Sequence, residues 1–168
     1  MKGLIIMGSS RSDGDTAAAV RSLVKLTGFH VLDLATLEFS DYDYQSRNLE
    51  DDFLPTIRRV VSGYDQWVMA TPVYWYTMSA LMKRFFDRIS DCLRIEKDTG
   101  RQFRGMRLAA LSVSNDRQPP GFDLPFKLSA DYLGMQYLGD QHVILGMDEQ
   151  LPIAEQLMPL VNTLKTVD

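Results

Sequence analysis

Residues 2–16 read KGLIIMGSSRSDGDT, and their order decides the fold. Leu4-Ile5-Ile6-Met7 is an unbroken apolar run, the mark of a strand buried on both faces. A loop of small and polar residues follows, from Gly8 to Thr16. Ala17, Val20, Leu23, Val24 and Thr27 then fall on one helical face, and Gly28 ends the helix as its C′ residue. Asp15 or Thr16 is expected as the N-cap. Such a loop offers unpaired backbone N–H groups, hydroxyls and the positive end of a helix dipole, which together make a phosphate site. Arg11 can fork onto a phosphate with charge-assisted bonds. The loop lacks the GxGxxG spacing of a dinucleotide fold and the Gly-Lys-Ser/Thr ending of a P-loop. On these residues alone, a phosphate site and a plain strand-to-helix turn are both open.

The same alternation continues outward. Val31–Leu34 reads as a second strand, and residues 36–52 as a long polar loop with Asp41, Asp43, Glu50, Asp51, Asp52, Tyr42 and Tyr44. A helix from Phe53 to Gly63 carries Pro55 in its first turn. Trp67–Ala70 is a third strand, followed by a loop from Thr71 to Met78. Ser79 caps a helix with Leu81, Met82, Phe85, Phe86, Ile89 and Leu93 inward. Residues 94–105 read as a charged, exposed excursion. Leu108–Val113 is a fourth strand, and the loop from Ser114 to Gly121 leads to a helix from Pro125 to Leu133, stopped by Gly134. A fifth strand lies within Met135–Leu145. A last helix starts near Asp148, and Pro159 should kink or restart it. Strand and helix thus alternate five times. The expected architecture is a single α/β domain over 1–168, a three-layer sandwich around a parallel sheet. Ligands bind such sheets outside the carboxyl ends of the strands. The loops that begin at Gly8, Thr71 and Ser114 would converge there.

Composition narrows the function classes. The net charge of −4 favours neither nucleic acid nor an anionic membrane. A lone cysteine, Cys92, excludes a disulfide framework and a cysteine-held cluster within one chain, and reads as a small core residue. Apolar runs are too short to span a bilayer, and strand-like sequence follows Met1 directly, so no signal peptide is expected. A cytoplasmic location is the default. His30 and His142 have no third ligand at metal spacing, so no metal site is expected. No GxSxG elbow marks a serine hydrolase. Lys83, Arg84, Asp87 and Arg88 read as a solvated helix face or an interface, and the acids at 41–52 as a solvated loop.

Tyr74, Trp75 and Tyr76 stand side by side just after Pro72. Three adjacent aromatics cannot all enter one core, so at least one is exposed or lines a pocket, and a flat aromatic ligand is its natural partner. Packing under the loop or in a subunit interface is the alternative for Trp75. Gly-Ser-Ser-Arg-Ser-Asp-Gly-Asp-Thr at 8–16, Thr-Pro-Val-Tyr-Trp-Tyr-Thr-Met-Ser at 71–79 and Leu-Met-Lys-Arg-Phe-Phe-Asp-Arg at 81–88 resemble the NAD(P)H-dependent FMN reductase family of flavodoxin-like proteins. Phe103-Arg104-Gly105-Met106 and Tyr132-Leu133-Gly134-Met135 fit the same pattern.

The resemblance implies a five-stranded sheet in order 2-1-3-4-5 with FMN at the β1/β3 switch point. By matching position, Ser9, Arg11, Gly14, Asp15 and Thr16 would hold the phosphate and ribityl chain. Pro72, Val73, Tyr74, Trp75, Tyr76, Thr77 and Met78 would edge the isoalloxazine, and Asn115 would bond its pyrimidine edge. Apart from the resemblance, two readings of Tyr42 and Tyr44 are open: part of the solvated acidic loop, or a cover for the flavin in this or a partner chain. The resemblance also implies a homodimer or higher homo-oligomer with FMN at the interface. It implies hydride transfer from NAD(P)H through FMN to a small acceptor such as a quinone or flavin. No side chain need act as acid or base, so no catalytic residue is assigned.

Two departures stand out. Asp15 replaces the family's common Asn, and is expected to bond its own helix amides or a ribityl hydroxyl. The loop Asn115-Asp116-Arg117-Gln118-Pro119-Pro120-Gly121 replaces a glycine-rich third loop. Two other readings stay open: an electron carrier that takes no hydride from nicotinamide, and a binding domain of this fold that has lost flavin.

Overall fold

Alternation along each strand divides the core into two layers. In the computed structural model, which describes residues 2–146 and 150–165, the strands are β1 (Gly3–Met7), β2 (His30–Asp33), β3 (Gln66–Tyr74), the two-residue β4 (Thr77–Met78), β5 (Arg107–Ser114) and β6 (Gln136–Ile144). The helices are α1 (Asp15–Thr27), α2 (Phe53–Gly63), α3 (Ala80–Arg94), α4 (Lys97–Arg101), α5 (Leu124–Leu133) and α6 (Ile153–Lys165). Leu4, Ile6, Trp67, Met69, Leu108 and Ala110 point to the layer of α2, α3 and α5. Ile5, Met7, Val68, Ala70, Ala109 and Leu111 point to the layer of α1 and α6. Five strands are parallel, in the order β2-β1-β3-β5-β6. With β4 set aside as a hairpin partner of β3, this is the flavodoxin-like order 2-1-3-4-5.

Several local expectations hold and several shift. Gly28 and Gly134 end α1 and α5 in the left-handed conformation, with φ of 73° and 72°, where a Cβ would be strained. Ser79 caps α3 by accepting from the Met82 N–H. The N-cap of α1 is Gly14, neither Asp15 nor Thr16, and no side chain caps it. β2 starts one residue earlier than its apolar run, and Leu34 begins a 3-10 turn. Residues 94–105 are no bare excursion. They form α4 and send Thr99 and Phe103 into the core, where Phe103 packs edge-on against Trp67. Leu93 faces out, because Cys92 and Ile89 already fill the inward positions of that turn. The last helix continues through Pro159 without a restart. Its start is Ile153; Asp148 lies outside the described residues.

The largest correction concerns Arg88. It is no solvated residue but is 0% exposed. Its guanidinium pairs with Asp91 at 2.7 Å and with Asp51, and donates to the Ser40 carbonyl at 3.1 Å. It also lies over the Phe53 ring at 4.8 Å. Asp51 in turn accepts from the Ser40 and Phe53 amides, so the acidic loop is docked on α3 through a buried charge. Sequence pattern cannot separate this residue from its neighbours, because Lys83, Arg84 and Arg88 look alike until the loop that covers one of them is placed.

Burial alone would raise the Asp51 carboxyl, but the Arg88 guanidinium and the two amides outweigh it and hold it below its ordinary 3.8. A depressed carboxyl stabilises the folded state fully above the unfolded value and loses that contribution as pH falls through the folded one. We predict that Arg88→Ala costs about 3–5 kcal/mol, since it leaves buried carboxylates unpaired. Urea unfolding at neutral pH measures it. The advantage of wild type over Asp51→Asn should be full at neutral pH and shrink once pH drops below 3.8.

Candidate functional site

Three loops leave the carboxyl ends of β1, β3 and β5, and two buried hydroxyls set the first two against each other. Gly8 continues β1 by donating its N–H to the Ala70 carbonyl at 2.8 Å. The Ser79 hydroxyl donates to the Gly8 carbonyl at 2.6 Å and accepts from the Met82 N–H at 3.1 Å. The Ser79 N–H donates to Thr71 Oγ1 at 3.0 Å. Gly8 passes so close to α3 that a Cβ there would lie 2.8 Å from the Met82 Cβ, so only glycine fits without a shift.

Beyond Gly8 the chain turns over the start of α1. The first intrahelical bond runs from the Ala18 N–H to the Gly14 carbonyl. The amides of Asp15, Thr16 and Ala17 therefore have no helical acceptor, and Gly14 supplies no side chain to cap them. Asp15, the first residue inside the helix, makes no side-chain bond to these amides. A capping side chain belongs one position earlier. The Arg11 guanidinium lies over Gly14, where a built Cβ would come within 3.1 Å of Nη2. Uncapped amides, a helix dipole and a guanidinium thus meet at one point. That is the chemistry of an anion site.

The second loop is a hairpin. β3 runs on to Tyr74, and Tyr74 pairs with Thr77 across the tip. Trp75 and Tyr76 occupy the tip with φ of 47° and 68°. Two positive φ values in a two-residue tip are the pattern of a type I′ turn, which favours Asn-Gly. Two bulky aromatics there are strained by about 1–3 kcal/mol each. They gain no burial in return, since Trp75 is 92% and Tyr76 76% exposed. Tyr74 leans back to the first loop, its hydroxyl 3.1 Å from Ser10 Oγ.

Between the loops lies a cavity of about 220 Å³. Ser9, Arg11, Gly14, Asp15 and Thr16 line it from the first loop, Pro72, Val73 and Tyr74 from the second, and Asn115 from the third. Val113 and Ser114 also line it and were not expected; their only signal was their place at the end of a strand. Trp75, Tyr76 and Thr77 stand outside the cavity, on the exposed hairpin. Met78 is buried and lines a separate groove between α3 and α5. Tyr42 and Tyr44 pack against Arg94 at the far end of α3, on the order of 20 Å of helix from Ser79.

No group of three or more His, Cys, Asp or Glu able to hold a metal occurs among the described residues. The Cys92 thiol is fully buried, and burial with the nearby Asp91 and Glu96 pushes it up to about 12, so it is no nucleophile at neutral pH.

A parallel sheet in this order, with an uncapped helix start at the β1/β3 switch point, defines a flavodoxin-like protein. The sequence model of one family within that fold, described as NADPH-dependent FMN reductase, matches residues 1–150. The chain belongs to that family. It is 27% identical over 153 residues to YwqN of Bacillus subtilis, with 83% of this chain and 82% of YwqN covered. YwqN is provisionally described as an NAD(P)H-dependent FMN-containing oxidoreductase. Among solved structures, the Trp repressor binding protein of Bacillus subtilis superposes with a TM-score of 0.76 at 22% identity, over 99% of each chain. General stress protein 14 of Treponema denticola, solved with FMN, gives 0.68 at 16% identity over 98% of this chain and 100% of its own. These two likenesses show the fold.

Strain without burial is a mark of function. We predict that replacing the tip with Trp75→Asn and Tyr76→Gly together raises folding stability by about 1–5 kcal/mol, the positive-φ strain of two residues less about 1 kcal/mol for the backbone entropy of the new glycine. Thermal unfolding measures the gain.

Proposed function

We propose that this protein binds FMN in the cavity between the β1 and β3 loops and serves as an NAD(P)H-dependent oxidoreductase acting on a small acceptor. The observation that carries this reading is the uncapped start of α1 under Arg11, facing an exposed aromatic hairpin across one cavity. A phosphate would take the amides of Asp15, Thr16 and Ala17, with Arg11 offsetting the charges of Asp13 and Asp15. The cavity is smaller than the roughly 300–1,000 Å³ of most ligand sites. It therefore suits the phosphate and ribityl chain, with the ring left to Tyr74, Trp75 and Tyr76. Bound FMN would accept a hydride from reduced nicotinamide and hand on its reducing equivalents. The residues of this chain bind and orient. Thr71 and Ser79 fix the two walls, Arg11 and the α1 amides would hold the phosphate charge, and the open hairpin would leave the ring accessible to nicotinamide and acceptor. The same reading places the protein in the cytoplasm, where NAD(P)H is at hand; no helix among the described residues is long and apolar enough to cross a membrane.

Self-association belongs to this reading. Leu124, Leu128 and Tyr132 follow one another at helical spacing on the outer face of α5, and Leu128 and Tyr132 are 61% and 79% exposed. Lys83 and Asp87 flank the adjoining groove on α3, and Lys127 and Asp131 sit beside the stripe on α5. An apolar stripe between flanks that each carry a cation one turn before an anion is self-complementary about a twofold axis. A second copy fits it better than a partner of one charge sign. Leu128→Glu should convert a dimer to a monomer in analytical ultracentrifugation. A wild type that sediments as a monomer at micromolar concentration would remove this part of the reading.

The cofactor assignment has its own test. Extraction from purified or reconstituted protein should yield FMN, not FAD, by mass spectrometry. A charge-assisted bond is worth about 1.5–3 kcal/mol, so Arg11→Ala should weaken FMN binding about ten- to a hundred-fold. Asp15→Asn should bind at least as well as wild type. Unchanged affinity in Arg11→Ala, measured by fluorescence titration, would put the phosphate elsewhere.

A further inference from the structure

β6 carries one extra residue where it pairs with β5. Leu108 stands opposite Tyr137, but Ala110 stands opposite Asp140. Gly139 lies in this irregular stretch with a φ of 103°, a conformation that side chains resist. The shift of one residue brings His142, in place of Gln141, opposite Ser112. The imidazole is then engaged at both nitrogens. Nε2 lies 2.8 Å from the Asp116 carbonyl oxygen and Nδ1 lies 2.7 Å from Ser112 Oγ. A carbonyl only accepts, so Nε2 carries a proton, and in the neutral ring Nδ1 accepts from the Ser112 hydroxyl.

The bonds continue into the third loop. The Gln118 side-chain amide donates to Ser112 Oγ at 3.1 Å and to Asp140 Oδ2 at 2.7 Å. The Ser114 hydroxyl donates to the Asp116 carbonyl at 2.7 Å and accepts from the Asp116 N–H at 3.2 Å. Ser112 itself is buried, so this Ser–His pair has no substrate within reach and is not a hydrolytic one. What it does is pin the loop to the sheet at Asp116 and Gln118. Asn115 lies between the pinned Ser114 and Asp116, lines the cavity, and has no side-chain hydrogen bond to any described residue.

We propose that His142 is a positioning residue for the FMN site. With the bulge at Gly139, it fixes the 114–118 segment so that the Asn115 amide is held at the cavity, ready for the ligand. The proposal rests on the FMN reading, and its test separates the two. His142→Phe keeps an aromatic ring and loses the hydrogen bonds to Ser112, Ser114 and Asp116. His142→Gln restores a donor for the Asp116 carbonyl.

In flavin-free protein, amide hydrogen exchange at 115–118 should speed up in His142→Phe while the core strands stay protected. His142→Gln should recover part of that protection. In FMN titrations His142→Phe should bind about tenfold more weakly, a loss of about 1.4 kcal/mol. In an Asn115→Ala background the same change should cost no more than about twofold, because the two residues act as one unit. Full additivity, or unchanged affinity in His142→Phe, would overturn the proposal. Unchanged exchange at 115–118 would overturn it even if affinity fell. If wild type binds no FMN, the FMN reading fails, and the exchange comparison still decides whether His142 holds the loop. Should His142→Phe not fold, Gln118→Ala releases the other anchor and is judged by the same exchange and titration outcomes.

Discussion

The hydroxyl of Ser79 holds three chain segments at one point, and the site depends on that knot. It donates to the Gly8 carbonyl and accepts from the Met82 amide, while its own N–H reaches Thr71. The exit of β1, the base of the hairpin and the first turn of α3 are thereby fixed relative to one another inside the protein. All the partners are buried, so each bond is expensive to leave unmade. The knot also explains Gly8, since a side chain there would displace Met82. With the two walls fixed this way, the polar first loop and the aromatic hairpin face each other without needing to touch except at Ser10 and Tyr74.

Local rules are broken in three places that bear on the site; two lie at the carboxyl ends of β1 and β3, and the third, in β6, lies nearer the amino end of the sheet. The start of α1 is uncapped, Trp75 and Tyr76 hold a turn that suits Asn and Gly, and β6 bulges ahead of His142. Much of the rest of the chain follows local rules. Its strands alternate between two cores, α1 and α5 end at left-handed glycines, and its acidic loop docks on α3 through Arg88 and Asp51. An unsatisfied helix start that faces a strained, exposed hairpin is arranged to receive a ligand between them.

The fold was largely legible from residues 2–28 and the repeated strand-helix alternation, because apolar periodicity reports burial directly. The polar first loop and the residues of the third strand end were legible too, as a property of βα loops. Other features were not. Trp75 and Tyr76 carry no turn signal, so the hairpin looked like an open loop. Arg88 differs from Arg84 only in what covers it, and that cover comes from residues 40–51. The reach of His142 across to Asp116 depends on a one-residue register shift that no local pattern announces. In each case the missing information was a contact distant in sequence.

FMN bound in this cleft as proposed would have one ring face open to a hydride donor. Adding NADPH or NADH anaerobically to the FMN-loaded protein, while following visible absorbance, tests it most directly. The account predicts rapid bleaching of the flavin by at least one of the two nucleotides. A flavin that dithionite bleaches and neither nucleotide does would contradict it and leave an electron carrier.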